Sequence, residues 1–325
     1  MRISFNRRGY YLIALFALCG FLLSVTQILG ESPDYSGYDD FFDLVRSEGL
    51  DVLVVSRFEP GFSIFAVLLI KLFTTNVVVY GCIVAVAMLL KGWAISAYSS
   101  SHKIFLVVAA FYFVRYFPLH ELTQLRVACA IALILVGAII LWKGNLLLGT
   151  LICASAVLFH MSAVAIIPAL FLSSSKRWQV MLIAFVVFVL TSIFSGFLTG
   201  YLANYIRILD AYQTGGFGDV KPNPFAIELL TDWAMIAVSL MMWNRLSLLM
   251  KRIVLLELIG MAIFYGAGDF AVIVHRVREF YSVLWVLFVA EGLRQRGTNL
   301  ISYGFVFVSI ILYLYLYIIS GKFFN

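Results

Sequence analysis

Apolar runs of about twenty residues recur from near residue 10 to near residue 320, and nothing else in this chain restricts its fold so much. Wound as an α-helix, such a run matches the roughly 30 Å hydrocarbon core of a bilayer. In lipid the backbone must satisfy its own hydrogen bonds, so repeated runs of this kind are helices. The candidates are 10–29, 77–97, 104–118, 122–142, 179–199, 226–243, 253–270, 277–293 and 300–319. Two stretches do not fit one crossing. The run 145–172 is too long, and His160 followed by Pro168 predicts two short helices turning near His160. The run 61–75 is expected to dip into the outer leaflet without crossing. Composition agrees, with 63% hydrophobic and 12% charged residues, too little polar surface for a water-soluble domain. The expectation is an all-α polytopic integral membrane bundle of about 10–12 hydrophobic helices, some short or re-entrant, forming one transmembrane domain over 1–325.

The net charge of +6 does not point to nucleic acid, because the basic residues sit mostly in short loops between apolar runs. That is the bias that orients inserted proteins. Arg2, Arg7 and Arg8, Lys103, Lys143, Lys176 and Arg177, Arg245, Lys251 and Arg252, and Arg294 and Arg296 are accordingly placed in the cytoplasm. This predicts a multi-pass protein of the bacterial inner (cytoplasmic) membrane with a cytoplasmic N-terminus. Loops 30–60 and 200–225 then face the periplasm. The first apolar run is too long for a signal peptide and lacks a small-x-small cleavage site, so it reads as a retained helix. Cys19, Cys82, Cys129 and Cys153 all lie in apolar segments without a CxxC pattern and read as small buried hydrophobes. Lys91 and Glu291 fall near the cytoplasmic face in this scheme and call for no function. His102 and His120 read as near-surface loop histidines.

All but Glu257 and Glu291 of the 17 acidic residues fall on the outer side, an asymmetry that orientation does not require. In the first outer loop, Tyr38, Phe41, Phe42 and Val45 alternate with Asp39, Asp40, Asp43 and Arg46 at helical spacing, which predicts a helix lying flat at the interface. Five arginines defy the cytoplasmic preference: Arg115 (one turn after Tyr112), Arg126, Arg207, Arg276 and Arg278, the last beside Glu279. Ionisable groups in or beside membrane helices cost on the order of 2.5–3.5 kcal/mol at the helix centre, which makes them candidates for function. A lone arginine near a helix end also snorkels to headgroups without further purpose. Their convergence on one side favours a ligand, and planar guanidinium forks suit phosphates. Arginine, acids and tyrosines together point to a lipid-linked phosphate or pyrophosphate carrying a sugar. No Walker A, GxGxxG, GxSxG or HExxH motif competes, and no metal-ligand spacing is present.

Several short strings make the chain similar to bacterial polysaccharide polymerases of the EpsG/Wzy type. They are Tyr38-Asp39-Asp40 after the first helix, Glu59-Pro60-Gly61-Phe62, Leu125-Arg126-Val127-Ala128, Phe159-His160-Met161-Ser162-Ala163, and the span from Arg276 to Tyr281. The family's frequent Arg-Gln pair is Arg126-Val127 here. The resemblance implies a fold like that of GT-C membrane glycosyltransferases, and a chemistry that joins repeat units of O-antigen, capsule or exopolysaccharide. The donor would be the growing glycan on undecaprenyl pyrophosphate and the acceptor a single repeat unit on a second carrier, with no cofactor and no metal. It implies His160 as base or sugar-positioning residue, and Arg126 and Arg276 on the pyrophosphate. Substrate contacts would come from Asp39, Asp40, Glu59, Tyr112, Arg115, Arg207, Arg278, Glu279 and Tyr281. Membrane lipids, a chain-length regulator and a flippase are the expected partners.

Three rivals share parts of this pattern: an O-antigen ligase-like enzyme, a transferase using a polyprenyl-phosphate sugar, and a non-enzymatic glycan flippase or transporter. Transporters show repeats and paired broken helices, and no repeat is visible here.

Overall fold

The apolar runs are helical. A computed structural model of the protein describes residues 7–26, 34–52, 56, 58–197 and 223–316. Among them lie fourteen α-helices and no strand. In chain order these are α1 (Arg7–Thr26), α2 (Tyr35–Glu48), α3 (Pro60–Leu72), α4 (Asn76–Tyr98), α5 (His102–Arg115), α6 (Phe117–Glu121) and α7 (Leu125–Trp142). They continue with α8 (Leu146–Ala156), α9 (Arg177–Phe197), α10 (Ile227–Met241), α11 (Leu248–Gly266), α12 (Ala271–Ser282), α13 (Trp285–Arg294) and α14 (Asn299–Leu314). Gly9–Thr26, Asn76–Tyr98, Leu125–Trp142 and Arg177–Phe197 are long and apolar enough to cross a membrane. The protein is an all-α membrane protein. Arg207 and nearly all of the 200–225 loop lie outside the described residues.

Local chemistry sets several boundaries. Ser101, Asn145 and Ser247 cap α5, α8 and α11, each accepting a backbone N–H of the first turn. Pro118 cannot continue a helix through its own nitrogen, so the expected 104–118 helix stops at Arg115 and restarts as the one-turn α6. The run 145–172 divides as its length requires. α8 ends at Ala156, the chain turns through His160, and short 3-10 segments follow at Met161–Ala165 and Pro168–Phe171. α3 has 13 residues, so it rises only about 20 Å, short of the roughly 30 Å apolar core. The run 277–293 is two helices, not one, because the chain turns at Val283 and Leu284 between α12 and α13.

The chain divides into two compact units, Met1–Val164 with Val289–Asn325, and Ala165–Phe288. In the first, α1 packs on α4, α4 on α7, α7 on α8, and α5 on α14. The α7–α8 crossing is close because it is built on glycines. A Cβ on Gly137 would come within 2.5 Å of Cys153 Sγ, and one on Gly149 within 2.5 Å of the Leu141 nitrogen. In the second unit, α11 is the centre, with α9, α10, α12 and Pro168–Phe171 against it. α9 buries only Val180, Ala184 and Ser195, while Phe185, Leu190, Ile193 and Phe194 stand exposed. An apolar face of that extent is suited to lipid, not water.

Candidate active site

Glu59 is where separate parts of the first unit meet. It is the residue before Pro60, which takes the first turn of α3, and its carbonyl accepts the Ser63 N–H. Gly61 lets that first turn press against the α8 exit. Its N–H donates to the Leu158 carbonyl at 2.8 Å, and a Cβ there would lie 2.8 Å from Leu158 Cβ and from that carbonyl oxygen. The backbone contact carries the Glu59 carboxylate beneath the turn that bears His160. Oε1 lies 3.1 Å from His160 Nδ1 and accepts the Met161 N–H at 3.3 Å. Oε2 accepts Arg126 Nη1 at 2.6 Å from the start of α7. Thus Glu59-Pro60-Gly61-Phe62, the His160 turn and the Leu125-Arg126 helix start form one cluster.

Burial alone would raise the Glu59 carboxyl, but the His160 hydrogen bond and the Arg126 charge outweigh it and hold the group down at about 2. A carboxylate that weakly basic does not take a proton near neutrality. Its chemical effect is on its neighbours. Accepting from Nδ1 fixes the neutral imidazole as the tautomer whose lone pair is on Nε2, the arrangement that makes a histidine a directed base.

Arg126 is held on further sides. Its Cζ lies 4.7 Å from the centre of the Phe58 ring. Tyr38, on the buried face of α2, stacks on the same Phe58 ring at 5.4 Å between centres. Burial pushes the Tyr38 hydroxyl above its ordinary pKa and Arg126 draws it only part of the way back, so the phenol stays protonated. Arg126 Nε is buried without a hydrogen-bond partner among the described residues. A buried charged donor left unsatisfied costs on the order of 1–3 kcal/mol or more, which an oxygen-rich ligand would relieve.

The other expected contacts fall elsewhere. Asp39 accepts from Asn76 Nδ2 at 2.8 Å and from Tyr80 at 3.0 Å, tying α2 to the start of α4, while Asp40 is exposed. Arg115 is buried amid the Phe111, Tyr116, Phe305 and Tyr313 rings, 5.2–5.8 Å from their centres. Tyr112 donates to the Glu121 carboxylate at 2.8 Å. Glu121 also pairs with Lys91, and both are fully buried. Lys91 is therefore an interior residue. It is the counter-charge of a carboxylate thirty residues away. His120 likewise is wholly buried and stacks on Tyr116 at 5.8 Å, not near a surface.

In the second unit, Arg278 Nη1 is bound to Asp232 at 2.6 Å in a buried pair. Glu279 is buried, and Tyr281 donates to the Ala165 carbonyl at 2.8 Å. Arg276 differs from Arg278. It is half-buried, and it has no ion pair or hydrogen bond among the described residues.

The sequence reading missed Tyr38 as part of this cluster and missed the Lys91–Glu121 pair. A tyrosine on an amphipathic face reads as core, and the pair's separation leaves no periodic signal. Comparison with known proteins gives one result: the model of the EpsG family matches residues 10–325. No curated protein and no solved structure matches the chain.

Proposed function

The chain belongs to the EpsG family, a family of polysaccharide polymerase-like membrane proteins, and from that premise we propose that it joins lipid-linked oligosaccharide repeat units on the periplasmic face of the inner membrane. The donor is the growing glycan on undecaprenyl pyrophosphate and the acceptor a repeat unit on a second carrier. The acceptor hydroxyl attacks the anomeric carbon of the donor sugar. The bond from that carbon to the phosphate oxygen breaks, and the diphosphate carrier leaves with the electron pair. His160 Nε2 takes the acceptor's proton, and Glu59 holds the ring in that tautomer. Arg126 offers its N–H groups to the charge developing on oxygen. Arg276 is assigned to phosphate because it is a planar cation with no counter-charge among the described residues.

The observation that carries this reading is the Glu59 carboxylate joining His160 Nδ1 at 3.1 Å and Arg126 Nη1 at 2.6 Å. An orienting acid, a histidine and a cation in one cluster suit glycosyl transfer better than passive transport. Arg278 is bound to Asp232 in a buried pair and is given no part in the transfer step. Catalysis is proposed to be independent of metal, and activity is expected to survive EDTA. Among the described residues no three His, Cys, Asp or Glu side chains are grouped to hold an ion.

The test is deletion with complementation, read as surface-polymer length on gels beside protein level in membranes. Deletion should leave one repeat unit per carrier or lipid core. Free polymer would identify a ligase, and absence of any unit at the surface a flippase. His160→Gln should insert normally and lower the polymerisation rate by roughly two to four orders of magnitude. Arg276→Ala should abolish polymer, and Arg276→Lys should restore little because the ammonium lacks the fork. Normal polymer from well-inserted His160→Gln would remove the base assignment.

A further inference from the structure

We propose that Glu121 is a positioning residue for Arg126: gripped by Lys91 and Tyr112 inside the first unit, it fixes where α6 ends and so where the first turn of α7 presents the guanidinium. The inference rests on the polymerase reading above and gives a role to three side chains which that reading leaves unused.

The three come from three helices. Lys91 lies on α4, Tyr112 on α5, and Glu121 is the last residue of α6. The Lys91 ammonium donates to Glu121 Oε1, and both side chains are fully buried. The Tyr112 hydroxyl stands 2.8 Å from each Glu121 carboxylate oxygen, and Lys91 Nζ lies 5.3 Å from the centre of the Tyr112 ring. An ion pair so enclosed is weak evidence of stability, because well-packed apolar side chains in its place are often neutral or stabilising. What it supplies is direction. Apolar burial is non-directional, whereas a carboxylate held by an ammonium on one helix and a phenol on another is tied from two sides.

That tie reaches Arg126 through a short, bonded stretch of chain. α6 has five residues, too few to stand as a helix by itself. After it, Thr123 Oγ1 donates to the Leu119 carbonyl. The Gln124 N–H is shared between the Leu119 and His120 carbonyls at 3.3 and 3.1 Å, and the Gln124 carbonyl accepts the Ala128 N–H at 2.9 Å. α7 begins at Leu125, so α6 and the first turn of α7 move together. Arg126 stands in that turn, where Nη1 meets Glu59 Oε2 at 2.6 Å. A tilt of α6 would carry the guanidinium away from that contact. The competing role for Lys91 and Glu121 is to neutralise each other and hold the helices together. Lys91→Met with Glu121→Gln separates the two roles. It keeps both shapes, removes both charges and leaves the Gln carbonyl able to accept from Tyr112.

The experiment measures elongation of lipid-linked repeat units by the full chain in membranes of a deletion strain, per folded protein. The double variant should insert and keep the wild-type thermal midpoint in detergent. It should lose at least about tenfold in kcat, with KM for the lipid-linked donor changed by less than about threefold, because Arg126 acts on charge that develops in the transition state. Tyr112→Phe, which keeps the ring and removes one of the two donors, should lose kcat in the same way but less. A double variant with kcat within about twofold of wild type makes the pair a neutral packing element and overturns the proposal. A kcat loss that vanishes once rates are divided by folded protein overturns it too. If the double variant fails to insert, full activity in Tyr112→Phe overturns it equally. Failure of the wild-type chain to elongate at all would sink the polymerase reading and this inference together. An active wild type with an unaffected double variant sinks the inference alone.

Discussion

Glu59 accepts three hydrogen bonds, from Arg126, His160 and the Met161 backbone. A carboxylate has room for about four, so this one is close to saturated and its loss would orphan two charged or polar side chains at once. Its lowered pKa, about 2 against an ordinary 4.5, fixes the sign of the pH effect. Its contribution to stability is complete above pH 4.5 and is lost as pH falls through about 2. The thermal midpoint of Glu59→Gln in detergent should therefore lie below wild type by a constant amount from pH 5 to 8. The gap should shrink below about pH 4 and close near pH 2. A gap that already changes between pH 6 and 7 would show that another group sets it. At this scale the sequence was informative wherever charge was scarce. His160 and Arg126 stand out because ionisable groups among apolar runs need a reason, whereas Glu59 was marked only by the resemblance that Glu59-Pro60-Gly61-Phe62 carries. Their mutual contacts were not readable, since separations of 67 and 101 residues are closed only by packing. Tyr38 was hidden by its own amphipathic setting, and Lys91 by a partner on another helix.

Among the elements, α3 has the most consequence for the cluster because its first turn is docked through backbone. Gly61→Ala would put a Cβ 2.8 Å from the Leu158 carbonyl oxygen, which cannot move aside as a flexible side chain would. Overpacking of this kind costs about 1–3 kcal/mol. The predicted outcome is an inserted chain with a lowered thermal midpoint and sharply reduced polymer. Unchanged midpoint and polymer would mean that α3 does not set the Glu59 position. Helix lengths were legible from hydrophobic runs, and Pro118 marked the end of the 104–118 run but not the one-turn α6 that contains it. The break at Val283 and Leu284 carries no glycine or proline signal and depends on tertiary context. The turn at His160 was legible from excess length and from His160 and Pro168, but the short helix expected after it is a pair of 3-10 segments.

For the whole molecule, orientation decides which solution the Glu59 cluster meets. The proposed cytoplasmic N-terminus would put α2, whose Ser36 is exposed, on the periplasmic side. In a chain stripped of its four cysteines, Ser36→Cys should react with an impermeant thiol reagent in intact spheroplasts. The Thr214→Cys counterpart falls outside the described residues but should behave alike. Labelling only after lysis would invert the topology and place the chemistry in the cytoplasm. The wide spacing of the cluster also bears on how the protein is made. Glu59 is synthesised 67 residues before Arg126 and 101 before His160. At about 5–20 residues per second, the carboxylate waits about 3–13 s for its first cation. Alone in hydrocarbon it would be costly, so the start of α3 is expected to wait in the headgroup layer during biogenesis. The short length of α3 allows that delay. The cluster can be completed only when translation has passed the turn that bears His160, so the docking of α3 onto the α7–α8 hairpin follows the synthesis of that hairpin.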